Sequence, residues 1–128
     1  MSIIQKTNGE FGIFHEAGMQ AKGSFTPNSD GLSPIELLEA SLGMCITISL
    51  QRMFERDGIE VQEDEFSVSV SAAKAPDGPS RVEKCTVSVK LPEHLPTDYK
   101  KKLITSAERA CTIGNTLKRG VTIDTNMV

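Results

Sequence analysis

Ser33-Pro-Ile-Glu-Leu-Leu-Glu-Ala-Ser-Leu-Gly-Met-Cys-Ile-Thr-Ile-Ser-Leu50 is the stretch on which the fold turns. Ser33 reads as an N-cap, Pro34 as the first helical residue, and Glu36 as the second half of a Ser-x-x-Glu capping box. The helix is expected to run to about Asp57, where Gly58 stops it. It is apolar on nearly every side, which places it in the middle of a protein and not on a surface. Gly43 inside it is unfavourable by ~1 kcal/mol relative to Ala, which suggests that another backbone or a ligand approaches there.

Short strands precede this helix. Ile3–Thr7 leads into Asn8-Gly9, a strong hairpin signal, and Phe11–Glu16 follows. After Ala17-Gly18, the residues Met19, Ala21, Gly23 and Phe25 alternate with polar ones, as in a half-buried strand. A meander of three strands results. Residues 26–33 are a loop by composition.

Beyond the helix, Phe66, Val68, Val70 and Ala72 share one strand face, and Cys85, Val87, Val89 and Leu91 line a return strand. Pro92 and Pro96 bracket a break. Thr97 or Asp98 is expected to cap a second helix carrying Leu103, Ile104, Ala107, Ala110 and Cys111 at i, i+3, i+4 spacing, with Gly114 as a place where it could be interrupted. Gly120 ends that helix, and Val121–Thr125 reads as a last strand. The order βββ-α-ββ-α-β is α+β, on a chain whose length fits a single domain over residues 1–128.

The 128 residues carry 14 Lys and Arg against 17 Asp and Glu, a net charge of -3 that lacks the footprint of a nucleic-acid binder. Lys100-Lys101-Lys102 reads as a solvated helix face. The first residues have no signal-like apolar region, and no apolar run approaches the ~20 residues of a membrane span, so the expectation is a cytoplasmic protein without a membrane partner. Three cysteines are an odd number for a disulfide framework, and they are 40 and 26 residues apart with no Cys-x-x-Cys. Structural zinc therefore has little support. Cys85 alternates with valines and reads as core. Cys45 and Cys111 lie on the expected buried sides of the two helices, either as small core residues or as a thiol pair.

The segment Ser33–Cys45, with its Ser-Pro-x-Glu-Leu-Leu opening and Gly-x-Cys end, resembles the first cysteine motif of the OsmC/Ohr family. Glu108-Arg-Ala-Cys-Thr-Ile-Gly-Asn-Thr-Leu117 resembles its second. The resemblance implies an intertwined homodimer, in which two central helices pack against β-sheets from both chains. It implies reduction of organic hydroperoxides by Cys45 as peroxidatic thiolate and Cys111 as resolving thiol. An external dithiol would reset the pair, with no metal or organic cofactor. Glu36 matches the family's general glutamate and joins Cys45 and Cys111 as a candidate catalytic residue. Leu37, Leu38, Leu42, Met44, Ile46 and Phe54 would suit an apolar peroxide, and equally any core helix.

Two features depart from the family pattern. Peroxidase members activate the cysteine with an arginine from the N-terminal strands, held by a glutamate directly after the helix-opening proline. That glutamate position is Ile35 here, and residues 1–51 contain no arginine. Lys6, Lys22 and His15 are the only basic side chains on those strands, and Lys22 lacks the bidentate fork of arginine. Glu108, three residues before Cys111, would oppose thiolate formation if buried. Two readings follow from this: a weak thiol peroxidase, or a non-catalytic member that binds a small apolar ligand or responds to redox state.

Overall fold

The structure, a computed structural model, describes residues 1–128 as α+β, with three helices and two small antiparallel sheets. It divides into two compact units, Met1–Ala40 and Ser41–Val128.

In the first unit, β1 (Ile3–Thr7), β2 (Glu10–His15) and β3 (Gly18–Gly23) form the expected meander. Asn8 and Gly9 both take positive φ, 51° and 79°, which a two-residue hairpin turn of the right twist requires. A bulge between Ile13 and Phe14 shifts the β2–β3 register. Of the alternating residues, Ala21 and Gly23 are half-buried as expected, while Met19 and Phe25 are exposed, as are Ile3 and Ile4 on β1. His15 accepts the Ala17 N–H at Nδ1, 3.0 Å, and serves the turn.

The helix α1 (Pro34–Arg56) starts in the first unit with the expected capping box. Ser33 N donates to Glu36 Oε1 at 3.0 Å, and Glu36 N donates to Ser33 Oγ at 3.3 Å. Gly58, at φ 66°, lies just past its end.

In the second unit, α1 presents Leu42, Ile46, Leu50, Met53 and Phe54 to a core completed by Leu91, Leu95, Leu103, Ala107 and Cys111. The helix is not covered all round within the chain, contrary to its all-apolar sequence: Met44 is 62% exposed and Ile48 44%. The strands β4 (Ser67–Lys74) and β5 (Val82–Lys90) make the expected hairpin, with Val68 opposite Val89, Val70 opposite Val87 and Ala72 opposite Cys85. Their serines face water while the valines face the core. A Cβ on Gly43 would stand 3.3 Å from Val70 Cγ2, so the close approach inferred from that glycine is made by a strand side chain.

The C-terminal region departs from expectation three times. The helix α2 (Thr97–Ala110) is preceded by Pro96 at the cap position, φ −59° and ψ 143°; neither Thr97 nor Asp98 caps it. Its first backbone bond, Lys100 N to Pro96 O at 3.0 Å, explains why: proline's fixed φ and free carbonyl already define the start. The interruption falls at Cys111, not Gly114, and a separate helix α3 (Thr112–Arg119) follows. Residues 121–128 form no strand. Val121 and Ile123 alternate as a strand should but are 67% and 81% exposed, because a strand exists only where another pairs with it.

Candidate functional site

The break between α2 and α3 is a single extended residue, Cys111, at φ −75° and ψ 104°. Its backbone belongs to both helices. Cys111 N donates to Glu108 O, and Cys111 O accepts from Asn115 N at 2.9 Å. Its side chain turns back as the N-cap of α3, with Sγ accepting the Gly114 N–H at 3.2 Å. A helix start leaves its first N–H groups without intrahelical partners. Here the Gly114 N–H meets sulfur. The Ile113 and Thr112 N–H groups and the Cys111 thiol are among the neighbours that act on the Cys45 thiol, so the two cysteines lie close together.

The two sulfurs are driven in opposite directions. Burial pushes the Cys45 thiol up, but the Ile113 N–H, the Cys111 thiol, the Thr112 N–H and the Arg52 charge outweigh it, and the net shift is downward. Burial also raises Cys111, and the Gly114 and Ile113 N–H groups do not overcome that rise once the charge of Cys45 adds to it. Cys45 is thus the more acidic of the two thiols and Cys111 the less acidic. The thiolate is the form that attacks an electrophilic oxygen.

Arg52 lies seven residues after Cys45 on α1, two turns along the same helix face. It is the one basic side chain whose charge acts on Cys45. Lys22, in the first unit, bridges Glu10 at 3.2 Å and Asp30 at 3.3 Å, which raises its pKa, first through the Glu10 hydrogen bond. Arg109 lies with Arg56, Lys101 and Lys102 around a separate open cavity of about 400 Å³. Glu108 is exposed, so burial does not set its carboxylate against Cys111.

Glu36, the third candidate, is held at the helix start. The Ser33 N–H and hydroxyl, and to a lesser extent the Asn28 N–H, lower its pKa against the opposing effect of burial. It is an ionised cap with both oxygens engaged. Cys85 packs in the core beside Val87, as expected.

Of the suggested apolar residues, Leu42, Ile46 and Phe54 are buried, Leu37 and Leu38 half-buried, and Met44 exposed. The second unit holds a small cavity of about 110 Å³ lined by Ile46, Leu50, Val87, Val89, Ile104 and Glu108. Sequence reading also missed the amides of Thr112, Ile113 and Gly114. The usable signal was the run Cys111-Thr-Ile-Gly114, a side chain able to cap followed three residues later by a residue with no Cβ in its way.

Residues 27–126 match the family described as OsmC-like protein. No curated relative matches the chain in sequence. Among solved structures, the OsmC-like protein from Mycoplasma pneumoniae is similar at 14% identity and TM-score 0.79, covering 94% of this chain and 87% of that one. The organic hydroperoxide resistance protein OhrB of Bacillus subtilis is similar at 21% identity and TM-score 0.64, covering 94% and 91%. A Legionella pneumophila organic hydroperoxide resistance protein is similar at 16% identity and TM-score 0.63, covering 94% and 90%.

Proposed function

Since the chain belongs to the OsmC-like family, we propose that it is a thiol-dependent peroxidase that reduces organic hydroperoxides through Cys45 and Cys111. The observation that carries this reading is the neighbouring pair of cysteines, whose surroundings push the Cys45 thiol down and the Cys111 thiol up. The organic hydroperoxide resistance proteins of similar fold support it.

The chemistry closes without a cofactor. The Cys45 thiolate attacks the distal peroxide oxygen, the O–O bond breaks, and the alkoxide leaves and is protonated to the alcohol. Cys45 becomes a sulfenic acid. The Cys111 sulfur, already close by, displaces hydroxide to form the Cys45–Cys111 disulfide and water. Prompt capture protects the sulfenic acid from further oxidation. An external dithiol then returns both sulfurs to the reduced state and leaves as its own disulfide. Residues 1–51 hold no arginine and Ile35 stands where peroxidase members carry the glutamate, so turnover is expected to be slow for the family.

The working form is a homodimer. Met44 and Ile48 lie one turn apart on α1 and are exposed, an apolar stripe that a second copy would bury. The helices include none long and apolar enough to cross a membrane, and the proposed place of action is the reducing cytoplasm, where free thiols persist.

A second reading is favoured by the missing arginine and the apolar cavity beside Ile46: a non-catalytic protein that holds a small apolar ligand. Titration with an organic hydroperoxide, followed by mass spectrometry of the thiols in wild type, Cys45→Ser and Cys111→Ser, separates the two. The peroxidase reading requires a Cys45–Cys111 disulfide in wild type, a trapped sulfenic acid on Cys45 in Cys111→Ser, and no turnover in Cys45→Ser. Ligand-dependent thermal stabilisation that survives Cys45→Ser, with Cys45 and Cys111 of the wild type still reduced after hydroperoxide, would favour the binder.

A further inference from the structure

We propose that the open cavity between the end of α1 and the polar face of α2 binds a small soluble phosphomonoester, held by Arg56, Lys102 and Arg109. The cavity shares no lining residue with the cysteine pair, and the inference goes beyond the peroxidase reading.

The order of residues on α2 gathers the charge. Lys101, Lys102, Thr105, Ser106 and Arg109 fall within an arc of roughly 140° around the helix axis. Leu103 and Ala107 turn into the core, 2% and 1% exposed. One strip of the helix therefore presents three cations with two hydroxyls between them. A strip like this is ordinarily a solvated face, and Lys100-Lys101-Lys102 reads so from sequence.

Three structural facts make it more than that. First, the strip faces a hollow. Its five residues line an open cavity of about 400 Å³, to which Arg56 and Tyr99 add a second wall and Leu103 an apolar patch. Second, the hollow has cations on both walls and no carboxylate in its lining, in a chain where acidic residues outnumber basic ones, 17 to 14. Asp98, one turn earlier on the same face, and Glu108 at its border both lie outside the lining. Other surface lysines are answered: Lys22 meets Glu10 and Asp30, and Lys90 donates to Asp64 O at 2.7 Å. The side chains of Lys101, Lys102 and Arg109 form no ion pair. Third, Arg56 is held in place from outside the cavity. Its Nε donates to Asp57 Oδ1 at 2.9 Å and its Nη2 to Asp57 Oδ2 at 3.1 Å, and the Tyr99 hydroxyl donates to the same Oδ2. Asp57 grips one edge of the guanidinium and leaves the Nη1 protons and one Nη2 proton for another acceptor.

This set of groups suits a phosphoryl anion. A phosphomonoester carries about −1.5 to −2 charges at neutral pH and three terminal acceptor oxygens. Two arginine forks match those oxygens in geometry, the lysines add point charge, and the Thr105 and Ser106 hydroxyls are neutral donors between them. A single carboxylate would occupy one fork and leave the remaining cations facing one another. The volume is at the low end for small-molecule sites, so the organic part is small, with Leu103 and the Tyr99 ring as its apolar surface.

The test is a titration of the full-length reduced protein with phenyl phosphate at constant ionic strength, followed by amide chemical shifts, with benzoate as the carboxylate comparison. Arg109→Gln and Lys102→Gln each remove one cation from the cavity. Arg56→Lys keeps the charge but cannot grip Asp57 and a phosphoryl oxygen together. Lys118→Gln removes an equal charge from α3, away from the cavity. All four side chains are exposed, so the fold should be retained in each variant, as circular dichroism would verify.

Phenyl phosphate should bind saturably, shift the amides of the α1 end and of α2, and bind more tightly than benzoate. Arg109→Gln, Lys102→Gln and Arg56→Lys should each weaken it about threefold or more, as loss of one partly exposed charge-assisted hydrogen bond does. Lys118→Gln should match wild type. The inference is overturned by shifts that do not saturate, by benzoate bound as tightly as phenyl phosphate, or by Lys118→Gln weakening binding as much as Arg109→Gln. Association with phosphatidic acid vesicles in the absence of phenyl phosphate binding would overturn it too, and assign the patch to a membrane surface. No peroxide enters the measurement, so its failure would leave the peroxidase reading untouched.

Discussion

Cys111 performs two tasks with one sulfur, and two substitutions separate them. It caps α3 through the Gly114 N–H at 3.2 Å, and it is buried, only 1% exposed. Cys111→Ala removes both features. Loss of an N-cap acceptor is worth ~1 kcal/mol. Loss of a buried sulfur, taken as one methylene equivalent and a small cavity, is worth roughly another 1 kcal/mol. Cys111→Ser keeps a cap acceptor of the preferred kind, and its O–H can turn to the Cys45 sulfur, so only the burial loss of ~1 kcal/mol should remain. Neither variant can form the disulfide, so the comparison is independent of catalysis. Urea unfolding followed by circular dichroism, in reductant and at one fixed protein concentration, measures both. The expected order is wild type, serine, alanine, in steps of about 1 kcal/mol, or roughly 4 °C each in melting temperature for a chain of 128 residues. Alanine as stable as serine would refute a capping role for the sulfur.

Three further outcomes follow from packing and hydrogen bonding. Gly43→Ala should gain helix propensity but press on Val70 Cγ2, 3.3 Å away; adding Val70→Ala should relieve it, giving a coupling of at least ~0.5 kcal/mol in a double-mutant cycle of urea stabilities. Ser33→Ala should destabilise the start of α1 by ~1 kcal/mol, seen as faster amide exchange at residues 35–37, because it removes the Oγ that accepts the Glu36 N–H. Tyr99 donates its hydroxyl to Asp57, whose other main partner is Arg56; these bonds, Arg56 first, hold Asp57 down to about 2 from 3.8, while burial first and then the Asp57 bond push Tyr99 up to about 12 from 10. The Asp57 contribution is full above its unfolded value and lost as pH falls towards 2; the Tyr99 contribution is full below 10 and lost as pH rises through 12. Tyr99→Phe should therefore be most destabilising near neutral pH and less so at both extremes, and a urea-midpoint difference that is constant from pH 3 to 11 would contradict this linkage.

Much of this was legible because local chemistry specified it. Asn8-Gly9 demands two positive φ angles, and the structure has them; Ser33 and Glu36 can satisfy each other's amides only at a helix start, and they do. Alternation in Phe66–Ala72 and Cys85–Leu91 named the buried face of the hairpin, since only one register hides every valine. What was not legible depends on partners distant in sequence or on competition between near-equal local choices. Val121 and Ile123 alternate like a strand, but alternation does not supply a neighbour to bond with. The all-apolar α1 sequence announces burial without saying which faces this chain covers, and Met44 and Ile48 are not among the covered ones. Spacing alone ran a single helix through Cys111, because the i, i+4 pattern continues across it. A thiol that caps the next helix breaks that continuity, and cysteine is not a usual cap. The candidate pair of cysteines was therefore found from its two residues, while the cap that Cys111 places on α3 became visible only in three dimensions.

The most direct measurement is the mass and disulfide map of the reduced protein after one equivalent of an organic hydroperoxide. Loss of two hydrogens, with a Cys45–Cys111 linked peptide and Cys85 left free, is the expected result. Cys45 still reduced after excess hydroperoxide, or linked to Cys85 instead, would contradict a peroxidatic Cys45 resolved by Cys111.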